Sequence, residues 1–319
     1  ECAFGDCKNL NSYKLSDPNM AGYGCLIYAP DYCVKLLKKL NINVVSLANN
    51  HIGDLSEEGI SHTIDVLESN NILYVGAGKS KVDAQRPLVI TINGKTICFL
   101  AYCTAWKIMK VNSKLNEPQV NLMDEHEVIK QIIENKGKYD YVIVLPHWGK
   151  ENTIFPQLKV MRLCKLIQKN GADAIIGSHT HYLQPTYISH GTIISPSLGN
   201  FVFPDRYIDS PRITVYPSEQ ERDNTEIPVV DGFPIVSVLT YKQIKGKARI
   251  GGILQVKFAE ITEYKRQLTR LNNDNVIELY VDSRLERRLG RLAKIIKHYS
   301  IYKVYLCIIS YVKTYIKHE

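Results

Sequence analysis

From residue 29 onward the apolar positions switch between two periods. APDYCVKLLKKLNI (29–42) places them every three or four residues, the helix spacing, and NVVSLA (43–48) is a short apolar run of strand length. LSEEGISHTIDVLESNNI (55–72) returns to the helix period, with Ile60, Ile64 and Leu67 on one face. Asp54 with Glu57 reads as a D-x-x-E capping box at its start. LYVGAG (73–78) predicts a second strand. LVITI and TICFLAY (88–102) predict two more, joined by Asn93-Gly94, a dipeptide that accepts the positive φ angles of a tight hairpin. A helix at 124–135 precedes the strand YDYVIVLP (139–146). PQLKVMRLCKLIQKNG (156–171) is a helix opened by Pro156 and closed by Gly171. ADAIIG (172–177) and GTIISPSLGN (191–200) supply further strands.

Short apolar strands alternating with helices predict an α/β fold with a largely parallel sheet and helices on both faces. Around 206–260 the pattern becomes irregular and polar, apart from a late strand at GGILQVKFAE (251–260). Beyond about 261 the chain reads as helical and basic. The expected division is a main domain over 1–260 and a basic helical extension over 261–319.

Polar residues fall at particular places in this pattern. Asn49-Asn50-His51 follows strand 43–48, His147 follows 139–146, His179 and His181 follow 172–177, and Asn200 follows 191–196. All stand at carboxyl ends of predicted strands, the edge where open α/β sheets bind ligands. Neutral imidazoles with amide or carboxylate oxygens suit a divalent ion such as Zn²⁺, Mn²⁺ or Fe²⁺, without distinguishing among them. Taken singly, an H-x-H is commonly a surface loop and an N-N-H a turn. Their joint placement makes a metal site the expectation.

SLANNHIGDLSEEGISHTIDVLESNNILYVGAG, LPHWGKE, GADAIIGSHTHYLQP and PSLGNFVF occur in the order and spacing of the CapA family of poly-gamma-glutamate capsule synthesis proteins, which the chain resembles strongly over about 1–204. That family belongs to the calcineurin-like metallophosphoesterases. The resemblance therefore implies metallophosphatase-like layered sheets flanked by helices, with a two-metal site at the sheet edge. Residue by residue, it implies Asn50, His147, His179 and His181 as metal ligands and His51 as the catalytic acid or charge stabiliser. Glu1 corresponds to the acid of the family's N-L-E motif. Asn49, Asn200 and Trp148 are candidates on the substrate side or behind the ligands, Trp148 reading more simply as a packing residue. The family's first motif, a Gly-Asp that gives a ligand, is expected upstream of Glu1. Without it the chain is expected to bind one metal ion, bind weakly, or be inactive; with it, two ions are expected.

The resemblance further implies metal-assisted hydrolysis in capsule or exopolymer biosynthesis, an anionic polymer substrate, other capsule proteins as partners and a place at the membrane or cell envelope. The alternative is a non-catalytic assembly subunit that keeps the fold with an incomplete site.

Charge changes the picture at one end. The net charge is +8, yet residues 284–319 carry nine Lys/Arg against two Glu, a local +7. The rest is near neutral, so no nucleic-acid partner is expected. Leu285, Leu289, Leu292, Ile295, Ile296 and Tyr299 share a helix face with the arginines largely away from its centre, which allows contact with a membrane surface or packing on the protein itself. No apolar run reaches the roughly 18–20 residues that span a bilayer. Among eight cysteines, Cys98 and Cys164 lie in apolar segments and read as core; Cys2, Cys7, Cys25 and Cys33 are free thiols, a disulfide or a metal site.

Overall fold

The computed structural model describes residues 1–5, 27–104, 115–203, 206–208, 212–213, 229–230, 233–236, 240–259 and 262–316. The chain forms two units, each assembled from separate stretches. The first comprises Glu1–Arg86, Ala105–Asn121 and Pro204–Ile244; the second comprises Pro87–Thr104, Leu122–Phe203 and Lys245–Glu319.

In the first unit the helix Ser56–Ser69 buries Ile60, Ile64 and Leu67, the face predicted from their spacing. Thr63 turns inward on the same face. Its hydroxyl donates to the Gly59 carbonyl at 2.7 Å and accepts from Phe4 N at 2.9 Å, tying the strand Ala3–Phe4 to the helix. Strands Val44–Ser46 and Leu73–Val75 pair in parallel. The predicted capping box does not form. Leu55 occupies the cap position with no side-chain hydrogen bond, and the Asp54 carboxylate is engaged elsewhere.

The second unit is built on a six-stranded sheet. Its order is Tyr187–Ser189, Thr192–Ser195, Ala174–Ile176, Tyr141–His147, Lys95–Cys103, Leu88–Ile92. The four inner strands run parallel and each edge strand is antiparallel. The predicted hairpin is present, with Asn93 at φ 51° and Gly94 at φ 75°, the left-handed pair a two-residue turn requires.

Alternation along the inner strands separates two cores. Cys98, Leu100, Tyr102, Val142, Val144, Ile175 and Ile194 face helices Glu125–Lys136 and Leu158–Lys169. Ile97, Ile143, Ala174 and Ile193 face the other way, onto Leu254, Val256, Phe258 and Tyr264. Leu254, Val256 and Tyr264 come from an antiparallel sheet of Ile250–Lys257, Glu263–Leu271 and Ile277–Tyr280, and Phe258 directly follows its first strand. The architecture is therefore α/β with layered sheets flanked by helices. It corrects the expectation of helices on both faces, and of helix throughout 261–319. EYKRQLTRL (263–271) is a strand because its alternate residues Tyr264, Arg266 and Leu268 turn inward along the hairpin with Ile250–Lys257.

Helix begins at Ser283, capped by Asp282, whose carboxylate accepts from Arg284 N and Leu285 N. In Ser283–Ile296, Leu292 and Ile296 join the helix-side core, and Leu289 packs with Leu183 and Leu268. Tyr302, fully buried on the next helix, Tyr299–Ile316, donates its hydroxyl to the Pro156 carbonyl at 2.5 Å. The apolar face of this segment is thus occupied by its own unit. Lying on a bilayer through Ser283–Ile296 would need that face free.

Cys98 and Cys164 are buried, and burial raises both thiol pKa values, that of Cys98 to about 12. Cys2 and Cys33 are free thiols, whereas Cys7 and Cys25 lie outside the described residues. No helix among the described residues is long and apolar enough to cross a membrane.

Candidate metal centre

The parallel strands of the second unit end together. His147 is the last residue of its strand and forms a bridge with Ser178, just past the end of Ala174–Ile176. The chain then turns sharply through His179 and His181, with φ of 89° and 56°. Non-glycine residues adopt this region at a cost of about 1–3 kcal/mol, borne where the surrounding structure imposes it.

Those turns bring the imidazoles together. His147 Nε2 and His179 Nδ1 stand 3.1 Å apart, and the His179 and His181 ring centroids are 6.4 Å apart. Two nitrogens each about 2.0–2.1 Å from a shared ion and 3.1 Å from each other subtend roughly 100°, between octahedral and tetrahedral angles. The pair fits a metal ion in geometry and donor type.

The far side of each ring is held as well. His147 Nδ1 meets Ser178 Oγ at 2.8 Å. His181 Nδ1 meets Asn200 Oδ1 at 2.9 Å, and the other end of that amide donates to the Ala248 carbonyl at 2.8 Å. The second bond fixes which end of the amide is oxygen, and an amide oxygen only accepts. His181 therefore carries its proton on Nδ1 and leaves the Nε2 lone pair free to ligate, the arrangement that sets imidazole tautomers at metal sites.

Trp148 lies beneath this edge, fully buried, its indole N–H donating to the Pro196 carbonyl at 3.0 Å. Its ring supports the loop and offers no face to a substrate. Gly177 makes that packing achievable, since a Cβ there would lie 2.1 Å from Pro196 O and 2.7 Å from Trp148 Nε1.

Glu1, Asn49, Asn50 and His51 belong to the first unit. Glu1 is exposed, and Asn50 and His51 are partly buried. Asn49 is buried and accepts from His51 N through Oδ1 at 2.9 Å. His51 Nδ1 lies 2.6 Å from Asp54 Oδ2, which also accepts from Ile27 N at 2.7 Å. A carboxylate fixed in this way orients the imidazole through Nδ1. Sequence reasoning missed Asp54 and Ser178. The usable signals were an acid three residues after His51 and a hydroxyl directly before the paired histidines.

A layered α/β unit thus gathers its histidines at the carboxyl edge of its parallel strands, the edge where open α/β sheets bind ligands. Residues 7–205 match the family described as bacterial capsule synthesis protein PGA_cap, and the chain belongs to that family. It is 37% identical over 171 residues to the PGA biosynthesis protein CapA of Bacillus subtilis, covering 53% of this chain and 45% of that one. With the capsule biosynthesis protein CapA of Bacillus anthracis it shares 32% identity over 200 residues, 61% of this chain and 47% of that protein. The chain spans about half the length of these relatives. Among solved structures, Haemophilus influenzae NAD nucleotidase aligns at 15% identity and a TM-score of 0.40, over 82% of this chain and 43% of that one.

Proposed function

We propose that the protein is a metal-dependent hydrolase of capsule biosynthesis, acting on an anionic polymer of the poly-gamma-glutamate kind, beside other capsule proteins at the cell envelope. The observation that carries this reading is the pair of imidazole nitrogens 3.1 Å apart at the sheet edge. The relatives named for PGA and capsule biosynthesis support the polymer.

His147, His179 and His181 are the imidazole ligands, with Asn50 and Glu1 as the oxygen ligands assigned by the family motifs. A divalent ion held there, Mn, Fe or Zn, would supply Lewis acidity and would lower the pKa of a bound water. Ser178 and Asn200 hold the ligand rings in position. His51, steadied by Asp54 at 2.6 Å, stabilises or protonates the departing group through Nε2.

Two substitutions test the division of labour. His179→Ala should lose metal by elemental analysis. His51→Ala should keep its metal while hydrolysis, followed in parallel on poly-gamma-glutamate and on a phosphodiester reporter, falls about 100-fold or more on whichever of the two the unsubstituted protein cleaves. Equal metal loss in both variants would overturn the assignment.

A further inference from the structure

The second unit carries a groove remote in sequence from the histidine motifs. A cavity of about 500 Å³ is lined by Arg284, Arg287, Arg288 and Arg291, with Phe155 and Tyr305 among the remaining walls. That volume lies within the range of ligand sites. Among the described residues none of the four arginines has an ion pair, while Glu286, on the same helix, is taken by Arg266. Only Arg284 lies in the first turn of Ser283–Ile296, beside the capping Asp282 carboxylate; Arg287, Arg288 and Arg291 follow over the next two turns. Like charges at spacings of three and four on one helix repel one another, and an anion lying among them would relieve that repulsion.

The form of the groove selects among polyanions. Positions 284, 287, 288 and 291 follow the spacing of one helix face over about 10 Å, enough for a short run of successive charges. Guanidinium forks bind carboxylates bidentately. Phe155 and Tyr305 are tilted against each other with centroids 6.0 Å apart and are partly buried on the core. They offer edges and apolar wall, suited to the methylenes of a flexible acid chain and poorly suited to stacking bases. A bilayer would need the helix's apolar face, which is buried.

We propose that this groove binds a strand of a polycarboxylate polymer, holding it by its carboxylates. The proposal rests on the polymer reading above and is independent of the metal site.

The test uses the full chain and fluorescently labelled polyglutamate, read by anisotropy at fixed salt. Arg287→Gln/Arg288→Gln/Arg291→Gln replaces exposed, unpaired side chains and should fold normally, with metal content unchanged. Its affinity for polyglutamate should fall at least about tenfold and its dependence on salt should flatten. The charge reversal Arg287→Glu/Arg291→Glu should weaken binding further. The loss caused by the triple substitution should be the same in a His179→Ala background, so loss of the hydrolase reading would leave the groove standing. The proposal is overturned if the unsubstituted chain does not bind polyglutamate, or if the triple variant binds it equally well. It is also overturned if the variant's losses are larger for single-stranded DNA or anionic vesicles than for polyglutamate.

Discussion

Gly177→Ala should damage the sheet edge beneath the histidines. The new Cβ would lie 2.1 Å from Pro196 O, 2.8 Å from Pro196 C and 2.7 Å from Trp148 Nε1. Ordinary contact begins near 3.4 Å, so backbone on the neighbouring strand must retreat by about 1 Å or more. That retreat strains three hydrogen bonds, Gly177 N to Ser195 O at 2.8 Å, Leu198 N to Gly177 O at 3.2 Å, and the indole to Pro196 O at 3.0 Å. Overpacking costs about 1–3 kcal/mol, and leaving the buried indole bond unmade adds about 1–3 kcal/mol. The sum, about 2–6 kcal/mol, is a large part of a typical domain's stability. Urea unfolding followed by circular dichroism and tryptophan emission measures it, since Trp148 reports on this contact. Gly94→Ala is the control. It has a positive φ, which Gly177 lacks, but nothing within 4 Å of the added methyl, so its cost should stay near 1–2 kcal/mol of backbone strain. A Gly177→Ala loss no greater than that of Gly94→Ala would refute the packing argument.

Asn200→Ala removes the acceptor that sets the His181 tautomer and should weaken divalent-ion binding about 10–100-fold by calorimetry; unchanged affinity would show that the amide does not tune the ligand. Tyr302→Phe leaves the Pro156 carbonyl without its donor in a buried place and should cost about 1–3 kcal/mol in chemical denaturation. The Asp140 carboxyl is held well below the usual carboxylate range, first by the Lys95 ammonium and then by Thr96 N–H and hydroxyl. Because its folded pKa is depressed, its stabilisation is present above about pH 4 and fades as pH falls toward the folded value. Asp140→Asn should therefore flatten the acid limb of a stability–pH curve, and an identical slope in both proteins would count against the pairing.

The parts legible from the residues share a local cause. The Asn93-Gly94 hairpin, the inner face of Ser56–Ser69 and the strand leading to His147 are each written in a few neighbouring positions, so period and turn chemistry suffice. The same holds for His179 and His181, placed by the strand before them. What the sequence hid is set at long range or by competition. Asp54 satisfies a capping pattern, yet its carboxylate goes to His51 and Ile27 N, partners that a local rule cannot weigh. Glu263–Leu271 carries enough Lys and Arg to look like part of the basic helix. Only pairing with Ile250–Lys257 makes its alternation meaningful. The second sheet layer was obscured for the same reason.

The interleaving of the two units bears on how the chain is made. Neither unit is a continuous segment, and the helix-side core of the second draws on residues from Val89 to Leu306. During synthesis the first sheet strands emerge roughly two hundred residues before Leu292, Ile296 and Tyr302 arrive to close that core. For that interval the core that Cys98, Leu100 and Tyr102 share with helices Glu125–Lys136 and Leu158–Lys169 stays incomplete, which is the situation in which nascent chains depend on chaperones or aggregate. Premature termination before Ser283 should then yield protein sensitive to protease across the whole second unit, including segments far upstream of the break.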